Sequence, residues 1–122
     1  MILHILRRAE WDEARRRGEY RPPSLDVEGF IHCSTIGQVV DTANIFFSAA
    51  TDLLLLRIDE RKLVAELKYE APATPDDERP RTPFPHIHGA LNLDAVAATI
   101  EFPCEVDGSF KLPASIRDLP SD

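Results

Sequence analysis

Cysteine is nearly absent from this chain of 122 residues, which contains only Cys33 and Cys104. They lie far apart and outside any CxxC spacing, so neither a disulfide framework nor a zinc ribbon is expected, and reduced thiols in a cytoplasm are. Positive charge is also short: 14 Lys and Arg against 21 Asp and Glu give a formal charge of −7. That balance weighs against a bulk nucleic-acid or anionic-membrane partner, because both require a positive field. Long apolar runs are missing too. Leu53–Leu56 is four residues long and flanked by Asp52 and Arg57, far short of the ~20 residues that span a bilayer. Met1–Leu6 reaches Arg7 and Arg8 too soon to hold the apolar stretch of a secretory signal. A cytoplasmic protein is the expectation.

The remaining composition, 43% hydrophobic and 29% charged, is that of a globular protein. The length predicts a single domain over residues 1–113 with a C-terminal tail at 114–122. Ile2, Leu3, Ile5 and Leu6 read as a buried strand interrupted by His4. Ala9–Arg17 reads as a short helix closed by Gly18, with Trp11 and Tyr20 as packing residues. Tyr20–Gly29, with its paired prolines, reads as a connector. Phe30–Cys33 is a second apolar segment. Thr35 and Gln38 then form a capping box for a helix carrying Val39, Val40, Ala43, Phe46 and Phe47. Leu53–Ile58 reads as a central strand and Leu63–Tyr69 as a half-buried one. Ala71–Pro83 reads as a mobile loop, and Phe84–Gly89 and Ala95–Phe102 as further strands. Asp107-Gly108 marks a hairpin turn with Phe110–Leu112 returning as a strand. About six strands and two main helices, the helices early, predict an α+β fold with an antiparallel or mixed sheet.

The chemistry-bearing residues are four histidines in three short apolar segments: His4, His32, and His86 with His88. Burying an imidazole costs free energy unless it finds a partner. Their placement therefore predicts one polar cleft holding His4, His32 and His86, with His88 nearer its rim. His32 precedes a helix N-terminus, where free N–H groups favour an anion, and Ser34 and Thr35 lie beside it. Cys33 could be a nucleophile, but it points to the opposite strand face from His32. His86 and His88, two residues apart, share a strand face and could meet a metal if a third ligand arrived from elsewhere.

Ile2-Leu-His-Ile5, Gly18-Glu-Tyr20, Glu28-Gly-Phe-Ile-His-Cys-Ser34, Phe84-Pro-His-Ile-His-Gly89 and Asp107-Gly108 with Phe110 together resemble the family of domain of unknown function 952, from Met1 to about Pro113. In that family the position of His88 is commonly tyrosine, which implies that His88 is no obligatory metal ligand. The family is similar to small ADP-ribosyltransferase-like proteins with a split or bent sheet. By that resemblance His4 holds the adenosine-side ribose of NAD, while Phe30, His32, Ser34 and Thr35 form the strand that lies on the nicotinamide. His86 stands where such proteins usually carry a glutamate. The RNA 2′-phosphotransferase branch works without that glutamate by using arginines and a histidine, for which Arg7, Arg8 and Arg81 are available here.

The reading that results is an NAD-dependent transferase or hydrolase, with His32 and His86 catalytic and His4, Phe30, Ser34 and Thr35 binding the cofactor. Two alternatives stay open. One is a non-catalytic protein that binds a nucleotide or other phosphate ligand. The other is a metal-assisted enzyme built on His86 and His88.

Overall fold

The computed structural model describes residues 1–72 and 82–117. Its first strand, β1 (Ile2–Arg7), leads directly into helix α1 (Arg8–Arg17), followed by the short β2 (Glu19–Tyr20), α2 (Pro23–Val27) and β3 (Ile31–His32). Helix α3 (Ile36–Phe46) and strand β4 (Leu53–Ile58) come next. Then follow β5 (Glu66–Glu70), β6 (Phe84–His88), β7 (Leu91–Asn92), β8 (Val96–Glu101) and α4 (Ala114–Arg117). Among the described residues all strand pairings are antiparallel and fall into three small sheets, β1-β4-β8, β2-β7 and β3-β6-β5. The fold is therefore α+β with a divided antiparallel sheet.

The central strand β4 explains its own sequence. Leu54, Leu56 and Ile58 enter one buried cluster with Ile2, Leu6, Ile31 and Ile87, while Leu53 and Leu55 enter a second with Val39, Ala43 and Phe102. A strand covered on both faces has no polar side, so its residues are nearly all apolar. The same holds for β1, where the alternation of side chains puts His4 on the face of Ile2 and Leu6, toward β3. Backbone bonds of 2.8 Å in both directions between Leu3 and Ser34 fasten β1 to the chain just beyond β3.

Several expectations from the sequence need correcting. The Tyr20–Gly29 connector contains α2, because Pro23 stands at the first helical position, where a fixed φ and a missing N–H cost nothing. The half-buried strand begins at Glu66 rather than Leu63, since Glu60–Lys62 forms a 3-10 turn on the Asp59 carboxylate. Asp107 and Gly108 do form a turn, with the Glu105 N–H donating to the Ser109 carbonyl at 2.7 Å, but no strand returns from it. The Phe110 N–H is taken instead by Asn44 Oδ1 of α3 at 2.7 Å. Its ring packs on Phe102 at 4.9 Å. Past Pro113 the chain makes α4, which buries Ile116 in the same cluster as Phe102. Most of the loop expected over Ala71–Pro83, including Arg81, lies outside the described residues. No helix among the described residues is long and apolar enough to cross a membrane.

Candidate functional site

A cavity of about 440 Å³ opens between β1, α1, α2, β3, α3 and β6. That volume falls in the range of small-molecule sites, roughly 300–1,000 Å³. His4, His32 and His86 all line it, and His88 does not.

His4 reaches the site from the middle of β1 and is 8% exposed. Its Nδ1 lies 2.5 Å from the His32 carbonyl and its Nε2 lies 2.9 Å from the Tyr20 hydroxyl. A carbonyl only accepts, so Nδ1 carries the proton and Nε2 accepts from Tyr20. Burial pulls the His4 pKa down to about 4 against the opposing pull of the His32 carbonyl, so this ring is neutral near pH 7. A neutral His4 offers a ligand hydrogen-bonding capacity and no charge. The Tyr20 hydroxyl, pushed upward by burial and by Glu10, keeps its proton. Glu10 approaches the same hydroxyl while its Oε1 accepts the Arg7 N–H at 3.0 Å. Tyr20 thus gives its single proton to His4, with the Glu10 carboxylate close by.

His32 stands at the mouth, with a side chain 45% exposed and Nε2 3.1 Å from Oε2 of Glu28. That pairing is a product of local backbone. Gly29 adopts φ +89°, a left-handed conformation that costs glycine little. There it ends α2, with its N–H donating to Ser24 and Leu25 carbonyls, and turns the chain into β3. Glu28 and His32 end up on opposite sides of this turn, four residues apart.

His86 is the register partner of His32 across β3 and β6, and their rings meet edge-on at 5.4 Å. It is 2% exposed. Phe30 stacks on it with centroids 4.1 Å apart and planes 14° from parallel. Burial lowers the His86 pKa, the Glu70 hydrogen bond opposes that, and nearby imidazoles add to the lowering. Ile87, between His86 and His88, turns the other way into the core.

The remaining expected residues divide. Ser34 lines the cavity, but Thr35 and Phe30 do not. The Thr35 N–H is taken by Gln38 Oε1 at 3.0 Å, and the part of α3 that reaches the cavity is Thr42, Phe46 and the following Phe47. The first turn of α3 is thus not part of the cavity lining, although Ser34 just before it is. Cys33 lines the cavity with a thiol pushed well up by burial, the opposite of the lowered value that activates a thiol nucleophile. Arg7 pairs with Asp52 at 2.6 Å and Arg8 pairs with Glu101. Among the described residues no three His, Cys, Asp or Glu side chains are placed to hold a metal ion.

Sequence reading passed over Glu10, Glu28 and Glu70. Only Glu28 carried a signal, its position four residues before His32. The two glutamates at the cavity change its electrostatics: the described lining residues include Glu10 and Glu28 and no lysine or arginine.

A search of curated proteins found no match. Among solved structures, the crystal structure of protein CC0527 from Caulobacter crescentus is similar at 32% identity and a TM-score of 0.79, covering 91% of this chain and 93% of that one. A double mutant of it aligns equally well, at 31% identity and a TM-score of 0.79, over 91% and 93% of the two chains. Its solution NMR structure aligns at 32% identity and a TM-score of 0.75, over 91% of each chain. The family model described as "Protein of unknown function (DUF952)" matches residues 5–99, and the chain belongs to that family.

Proposed function

We propose that the protein is an NAD-dependent transferase or hydrolase with an ADP-ribosyltransferase-like fold, working in a cytoplasm, whose cavity receives the nicotinamide-ribose end of NAD. One observation carries this reading: three histidines and two carboxylates converge in one cavity whose described lining holds no cationic side chain. The nicotinamide ring of NAD is a cation, and breaking its bond to ribose builds positive charge on the sugar. A fixed carboxylate beside that carbon stabilises the transition state more than the ground state. Glu28, held by His32 at 3.1 Å, is the group assigned to this task. Phe46, Phe47 and Phe84 supply apolar wall for the ring. The non-catalytic phosphate-binding alternative asks for positive charge that the described lining does not provide.

The experiment is nicotinamide release from NAD by pure protein. Wild type should turn NAD over, and Glu28→Gln should lose about 100-fold in kcat, the scale seen when one electrostatic contact to a transition state is removed. Absence of nicotinamide release by the wild-type protein overturns the reading.

A further inference from the structure

Glu70 ends β5 beside His86 and His88 of β6. A single oxygen, Oε1, lies 2.9 Å from His86 Nδ1 and 2.7 Å from His88 Nε2. A carboxylate only accepts, so His86 carries its proton on Nδ1 and the neutral ring is basic at Nε2. Phe30 closes one face of the ring by stacking. Glu70 and Phe30 lie outside the cavity lining, while His86 is part of it. The ring is therefore held by a hydrogen bond at Nδ1 and a stack on one face, and it is itself one of the residues that line the cavity. A carboxylate fixing the tautomer of a base is the arrangement that activates hydroxyl nucleophiles.

We propose that Glu70 positions His86 so that Nε2 takes the proton of a hydroxyl acceptor, water or an alcohol, as it attacks the ribosyl carbon. This rests on the NAD reading above. The bond from C1′ to the nicotinamide nitrogen breaks and nicotinamide leaves with the electron pair. The hydroxyl oxygen bonds to C1′, and its proton passes to His86. The positive charge of the pyridinium is replaced by that of the imidazolium, so charge balances without an oxidant or a metal. The charged and titratable groups around His86 are Glu70 and Lys68 on β5, His88 on β6, and His32 on β3 with Glu28 behind it. Burial keeps His86 below the ordinary imidazole value, which leaves it free to accept a proton at neutral pH.

The test joins ring-nitrogen NMR to kinetics. In wild type at pH 8 the His86 imidazole should be the Nδ1–H tautomer. His86→Asn should lose about 100-fold in kcat for NAD, with KM changed less than about twofold. Glu70→Gln keeps an acceptor but removes a charge, so the acid limb of the kcat profile should move to lower pH with KM unchanged. Product analysis separates the acceptors: ADP-ribose forms from water, and its methyl glycoside forms when methanol is present. An Nε2–H tautomer, an unmoved acid limb in Glu70→Gln, or full kcat in His86→Asn overturns the proposal. If wild type releases no nicotinamide, the NAD reading and the acceptor role fall together, and the tautomer measurement still decides whether Glu70 positions His86.

Discussion

His4 and His32 are joined through the backbone: Nδ1 of His4 lies 2.5 Å from the His32 carbonyl, so the first strand fixes the position from which the His32 side chain leaves β3. Its other nitrogen holds Tyr20. Both nitrogens of His4 are hydrogen-bonded to the protein, which makes this lining residue a brace of the cavity.

A pH dependence of stability follows. The His4 pKa is about 4 in the folded protein against an ordinary 6.5, so between those values the unfolded chain binds the extra proton. The His4 contribution to stability is full above pH 6.5 and is lost as pH drops toward 4, by about 3 kcal/mol over the window. Denaturant melts from pH 7 to pH 4 should show this decline, and His4→Gln should make it shallower, the rest belonging to His86 and the carboxylates.

Ile87 provides the control for its neighbours. It is fully buried in the core between two histidines of the other face. Ile87→Ala should cost about 2–5 kcal/mol of unfolding free energy with NAD affinity nearly unchanged at low temperature. Loss of affinity with unchanged stability would place Ile87 at the ligand.

Charge selectivity follows from Glu10 and Glu28. NAD carries a cationic nicotinamide and NADH a neutral dihydronicotinamide. Calorimetry should therefore find NAD binding at least about tenfold tighter, a difference of about 1.4 kcal/mol. ADP-ribose, which lacks the ring, should bind more weakly than NAD. Equal affinities for NAD and NADH would mean that the carboxylates do not face the ring.

The turn at Gly29 is also testable. A Cβ there has open space around it, so Gly29→Ala should cost only the backbone penalty of a left-handed residue, about 1 kcal/mol. A larger fall in kcat than in stability would show that the angle between Glu28 and His32 matters beyond folding.

The strands covered on both faces were plain in the sequence because burial leaves only apolar residues, as in β1 and β4. The three histidines of the cavity were legible for the converse reason, each being the polar interruption of such a segment. The short helix α2 was hidden by its prolines, which signal both connectors and helix starts. Phe110–Leu112 looked like a returning strand because no local pattern reveals that Asn44, 66 residues earlier, takes the Phe110 N–H. Glu10 and Glu70 were invisible for the same reason. Glu10 looks like an ordinary first-turn acid and Glu70 like an exposed strand end until Tyr20 and His86 are brought beside them. Thr35 was read correctly as a helix start, but a start does not tell whether the first turn lines the cavity.

The most direct test is a crystal structure of the Glu28→Gln variant soaked with NAD. The nicotinamide and its ribose should lie in the cavity beside His32 and residue 28, with the pyrophosphate outside it. A phosphate group seated among His4, His32 and His86, or NAD bound elsewhere on the protein, would contradict the account.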